Sequence, residues 1–279
     1  MRWFTGAVAA AGGAALAGAA MAAPAVEINH AVARVVVSPE PRADIKVEFV
    51  KTNPRLPIRV WSFLGRTYID GGLTGWRVQG CRGPVARPSA FVVGVGEVSA
   101  DAMPQLLIHT PVDARVSAGG AVFGQVGRSA SLELASAGCG DWQVGNVRGK
   151  MTVNVAGSGS VRTGQAGGAA LRAAGSGAIS TREIDGPVEA MNVGSGDIEV
   201  ASVRGNFSAR IAGSGHVRVA AGHAGAMQAS IAGSGDIALQ GVADSLNASV
   251  VGSGDVRVQK VTGPVRKAVV GSGDVRIGS

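Results

Sequence analysis

The chain has 279 residues, with 26 Lys and Arg against 19 Asp and Glu, 44 Gly and only 4% aromatic residues. So little aromatic mass excludes a conventional core of large side chains, and suits stacked coils with Val and Ile inside and Gly at the corners. The formal net charge of +7 favours anionic partners such as lipid head groups or acidic polysaccharide, although solubility alone also accounts for it.

The first element is a leader. Met1-Arg2-Trp3-Phe4 is followed by an Ala, Gly, Val and Leu run and by Ala20-Met21-Ala22, with small residues at the −3 and −1 positions. This predicts a signal peptide over 1–22, cut after Ala22. A retained anchor fits less well, because the run is short and weakly apolar for a bilayer span of about 20 residues. With Arg2 gone, 25 basic and 19 acidic residues leave +6. No Cys stands at the cleavage site, which argues against a lipoprotein, and no other apolar run could cross a membrane as a helix. We therefore expect an exported protein of the periplasm or outer cell envelope, not an integral membrane protein, and export removes nucleic acid as a partner.

Residues 23–112 predict an N-terminal β segment that caps the repetitive region beginning at residue 113. Strand-like stretches lie at 31–37, 45–50, 58–63, 91–95 and 106–109, interrupted by eight prolines between Pro39 and Pro111. A degenerate coil begins at Gly119, 19 residues before Gly138.

Residues 113–279 are repetitive. Gly-x-Gly recurs at Gly138, Gly157, Gly175, Gly194, Gly213, Gly233, Gly252 and Gly271, every 18 to 20 residues, with Ser in the middle except at Cys139. A period of about 20 implies a solenoid whose units bury their apolar faces only by stacking. In the copy from Gly194, alternation over Asp197–Val203 and Asn206–Ile211, separated by Arg204-Gly205, predicts two short strands and two corners per coil. The inward ladders run Trp142, Val161, Ile179, Ile198, Val217, Ile237, Val256, Val275 and Val144, Thr163, Thr181, Val200, Val219, Leu239, Val258, Ile277. These observations predict an all-β parallel solenoid of about eight to nine coils; a β-prism or sandwich of the same strands is the alternative.

The phrase Gly-Ser-Gly-Asp-Val/Ile at Gly194, Gly233, Gly252 and Gly271, behind a leader and a variable β segment, resembles the bacterial exported proteins grouped as "putative auto-transporter adhesin, head GIN domain". The resemblance covers about Ala31 to the C-terminus and is strongest over Gly138–Ser279. It implies an exported β-helical protein with an adhesin-like role. A true autotransporter would also carry a C-terminal translocator barrel, which is not read before Ile277-Gly278-Ser279.

Cys81 and Cys139 are the two cysteines, and export would let them pair. Closing that loop would stabilise the fold by about 4 kcal/mol in the chain-entropy description; two buried free thiols are the other reading.

Chemistry is weakly signalled. Asp141, Asp197, Asp236, Asp255 and Asp274 share one repeat position, interrupted by Ser160, Ala178 and His216. Gly-rich turns with Asp suggest calcium rolls, but this period is twice too long and each corner offers one carboxylate. An Asp that hydrogen-bonds the turn backbone is the simpler expectation. The position after the first inward rung brings Arg162, Arg218, Arg257 and Arg276 onto one outward face. That face is a candidate site for anionic polysaccharide, lipopolysaccharide or lipid head groups, although stacked like charges also serve to protect sheet edges. His216 and His223 read as solvated loop residues. The Gly-Ser-Gly serines recur seven times with no base beside them. The expectation is thus a noncatalytic envelope scaffold or adhesin-like binder with no catalytic residue, metal or cofactor. The alternative is a carbohydrate-active β-helix enzyme of the lyase or hydrolase class. The last copy supplies only one strand after its Gly-Ser-Gly, which suggests self-association or docking to an envelope protein through the C-terminal coil.

Overall fold

The computed structural model describes residues 23–83 and 85–278, so the expected leader lies outside the described residues. Strands dominate, and the only helical turn among the described residues is a 3-10 turn at Gly75–Arg77.

Chain order begins with β1 (Ala25–Glu40), β2 (Lys46–Lys51), the hairpin β3 (Arg59–Phe63) and β4 (Arg66–Asp70), and a small sheet of β5 (Val78–Arg82), β6 (Ser89–Val92) and β7 (Gly96–Ser99). Next come β8 (Gln105–Pro111) and β9 (Asp113–Val126). The repeats then supply β10 (Ser131–Gly138), β11 (Trp142–Val144), β12 (Val147–Gly157), β13 (Val161–Thr163), β14 (Ala166–Gly175), β15 (Ile179–Ile184), β16 (Val188–Gly194) and β17 (Ile198–Gly213). The last six are β18 (Val217–Val219), β19 (Gly222–Gly233), β20 (Ile237–Gly252), β21 (Val256–Val261), β22 (Val265–Gly271) and β23 (Val275–Ile277).

From β9 onward these strands wind a parallel β-solenoid of about nine turns. Corresponding residues of successive copies lie side by side, as in Ile179, Ile198, Val217, Ile237, Val256 and Val275. Both ladders point inward as the alternation predicts, and all but the last rung of the second, Ile277, are buried. Thr163 and Thr181 are tolerated inside because each hydroxyl donates to a neighbouring carbonyl, of Gly164 at 3.2 Å and of Arg182 at 3.3 Å.

The Gly-x-Gly phrase has two separate causes. Its first glycine takes φ between 108° and 144° in all eight copies, where a side chain would be strained, and Gly120, rather than the expected Gly119, occupies the equivalent corner opposite Gly138 with φ of 106°. Its second glycine sits over the same corner of the preceding coil, and a Cβ at Gly196 or Gly215 would collide with the carbonyl of Gly177 or Gly196. That approach lets one carbonyl accept two N–H groups from the next coil: Gly194 O receives Ser214 N at 2.9 Å and Gly215 N at 3.1 Å.

Two expectations change. Arg204-Gly205 does not break the strand: β17 runs through it with a bulge between Gly205 and Phe207. The segment 23–112, expected to cap the solenoid, contributes strands that pair with it. β1 pairs in parallel with β9 on one side and with β4 and β8 on the other, while β2 and β3 lie antiparallel along β8 and β4.

The excursion 71–103 packs outside the rod. Ala121 and Phe123 of β9 face outward, opposite in parity to inward Val122, and with Val32 they meet Leu73, Ala90, Val92 and Val98 in a second apolar cluster. Cys81 and Cys139 form a disulfide at the edge of that cluster, with Cα atoms 5.5 Å apart. It ties β5 to the corner that begins the regular repeat.

Candidate ligand-binding face

Stacking turns a residue that recurs once per copy into a column. The position after the first inward ladder runs Gln143, Arg162, Ser180, Glu199, Arg218, Ala238, Arg257, Arg276, all in parallel register. Arg257 and Arg276 occupy adjacent rungs, about 4.8 Å apart by strand spacing. Arg218 lies two rungs from Arg257, across Ala238. Arg162 stands apart, three rungs from Arg218 with Ser180 and Glu199 between.

The small side chains of Ala220 and Ala238 leave an open groove of about 620 Å³ between Arg218 and Arg257, with Gln240 and Gln259 on its other side. Those glutamines were not singled out from the sequence. Their signal is the column after the second inward ladder, Gly145, Gly164, Arg182, Ala201, Ala220, Gln240, Gln259, Gly278, in which they are neighbours.

The aspartate column acts between coils. Asp236 Oδ1 accepts the N–H of Asp255 at 2.9 Å, and Asp255 Oδ1 accepts that of Asp274 at 2.9 Å. Asp141 does the same for Ser160 at 2.8 Å and Asp197 for His216 at 3.0 Å. His216 substitutes within the series, its Nδ1 receiving the N–H of Asp236 at 3.2 Å. Asn146 and Asn206 bond Gln165 and Ala226 of the next coil in the same way, at 3.1 and 3.0 Å. For Asp141, Asp197, Asp236 and Asp255 the expected bond to turn backbone is therefore made one coil further along, whereas Asp274 accepts the N–H of the adjacent Val275 at 2.7 Å.

The second carboxylate oxygen serves the arginines. Arg257 reaches Asp255 Oδ2 at 2.5 Å and Asp236 Oδ2 at 3.4 Å, and Arg276 reaches Asp274 Oδ2 at 2.9 Å. The Arg276 bond, then the Val275 N–H, hold the Asp274 carboxyl below its usual range, and the same carboxylate raises the Arg276 guanidinium. Arg257 and Arg276 are thus preset in direction, with side chains still 47% and 59% exposed. His223 pairs separately with Asp244 at 2.7 Å. Among the described residues, no group of three or more His, Cys, Asp or Glu is placed to hold a metal ion.

A parallel solenoid with a column of outward arginines, two of them paired with aspartates of the same corner, defines a β-solenoid repeat protein. Residues 168–279 match the family described as "Putative auto-transporter adhesin, head GIN domain", the family that the Gly-Ser-Gly-Asp phrase resembles. A solved structure from Parabacteroides distasonis, described as a putative lipid binding protein, aligns with a TM-score of 0.56 at 17% identity, covering 93% of this chain and 94% of that one. At that identity the likeness is one of fold. No curated protein matches the chain. No helix among the described residues is long and apolar enough to cross a membrane.

Proposed function

We propose that this is a noncatalytic, exported cell-envelope protein, an adhesin-like or structural rod that binds anionic glycan or lipid head groups along the Arg218, Arg257 and Arg276 face. The groove between Arg218 and Arg257 carries the reading, because it combines two guanidinium groups, that of Arg257 oriented by Asp236 and Asp255, with Gln240 and Gln259 on an exposed, extended surface. Three further observations support it. The family is described as an adhesin, the similar structure as a lipid binder, and a disulfide suits the oxidising periplasm or outer envelope. Arg162 would act as a separate, weaker contact.

Replacing Arg257 and Arg276 with Ser should lower retention on heparin or lipopolysaccharide resin at low salt, with the difference vanishing as salt screens the charges. Unchanged retention would remove the face as a site. The enzyme reading is tested by incubating the protein with uronate polysaccharides and following new unsaturated ends; their appearance would replace this proposal. The last described coil, where Val269 is 40% and Ile277 38% exposed, is the surface for self-association or an envelope partner.

A further inference from the structure

The large aromatic side chains exposed among the described residues are Phe49, Trp61, Phe63, Trp76 and Phe91, all ahead of the repeats. Two of them share the hairpin β3–β4 with the most exposed large apolar residue, Leu64 at 73%. One face of the hairpin belongs to the fold: Ile69 is buried, Val60 packs on the core, and Ser62 bonds Thr67 at 3.0 Å. The other face carries Arg59, Trp61 and Phe63 opposite Asp70, Tyr68 and Arg66. Trp61 and Tyr68 stack with ring centres 5.5 Å apart, and Arg66 is ion-paired to Glu27.

The turn makes this face unusual. Leu64 and Gly65 have φ of 49° and 77°, the two-residue turn in which both central residues are left-handed and Asn-Gly is favoured. Leu64 makes that conformation costlier than Asn would, and its exposed side chain recovers little burial. Folding alone gives no reason for Leu at this position.

We propose that the tip of the β3–β4 hairpin is a lipid-bilayer contact, in which Leu64 and Phe63 enter the boundary between head groups and acyl chains. Trp61 and Tyr68 lie behind them at head-group level, where amphipathic aromatic rings are favoured. Leu64 lies three positions beyond Trp61, about 10 Å along the hairpin, which matches the roughly 5–10 Å that interfacial elements insert. Arg59 and the net charge of +6 on the chain without Arg2 complement anionic head groups. A two-residue tip offers far less than the roughly 800 Å² per partner of a stable protein interface. A sugar platform fits less well, since Tyr68 covers one face of Trp61 and Leu64 has nothing to offer a hydroxyl-rich ring.

The test uses the chain from Ala23 onward, which holds every described element, and large unilamellar vesicles of phosphatidylcholine, alone or mixed with phosphatidylglycerol. The parent should sediment with both. Leu64→Asn, which suits the turn, should lower the partition coefficient about tenfold in both lipids while the melting temperature holds or rises. Phe63→Ser should act in the same direction. Retention of Leu64→Asn on heparin resin should equal the parent's, which separates this contact from the arginine face. A parent that ignores vesicles, or a Leu64→Asn variant that partitions like the parent, overturns the proposal. So does a parent that ignores vesicles but binds soluble oligosaccharides through Trp61.

Discussion

At Gly196 and Gly213 the requirement for glycine is physical and differs between the two. A Cβ at Gly213 would have to adopt φ of 133° and would also meet the Gly194 carbonyl, whereas a Cβ at Gly196 meets the Gly177 carbonyl alone. Either Ala replacement should destabilise the protein by at least about 2 kcal/mol, since backbone cannot move without separating two coils. A thermal melt measures this, and unchanged melting would contradict the stacking geometry. Asp236→Ala should cost on the order of 1 kcal/mol, tempered by its partial exposure, because the Asp255 N–H and Arg257 both lose an acceptor. Faster hydrogen exchange at the Asp255 amide is the local signature. Trp142 shows a further dependence: its indole lies where a Gly124 side chain would be, so the first rung of the ladder needs both residues together. The glycine period and the ladders were legible because each copy repeats them. The inter-coil carboxylate bonds were not, since nothing local to Asp236 distinguishes its own turn from the corner of the next coil.

Among elements, the small sheet β5–β7 depends on the disulfide and on the cluster around Phe123. Replacing Cys81 and Cys139 with Ser should lower stability by up to about 4 kcal/mol in the chain-entropy description. Proteolysis should then cut within 71–103 before any coil. Simultaneous cleavage of both regions would show that the sheet is not an independent layer. The strand β23 is held differently. Asp274 has a lowered folded pKa, so its contribution is present above the unfolded carboxylate value of about 3.9 and is lost as pH falls through the lower folded value. Hydrogen exchange at β22 and β23 should therefore rise in acid before that of β16 and β17. The run 121–123 offered a clue to the outer layer, because apolar residues of both parities imply burial on both faces.

Across the whole molecule, stability is a sum of coil-to-coil contacts, so protection should fall toward β22, every residue of which is exposed. Light scattering tests whether that coil associates: Val269→Lys with Ile277→Lys should reduce the apparent mass of the parent at high concentration. A parent that is already monomeric would leave the C-terminal coil without this role. The sequence by itself determined the solenoid, the number of coils and which side chains point inward, because parallel stacking copies one local pattern along the rod. Tertiary structure alone decided that β1 joins the stack, pairing with β9 across some 90 residues of chain. It also decided that the aspartates bridge coils, because these distances are fixed by which copies become neighbours and how closely their corners approach.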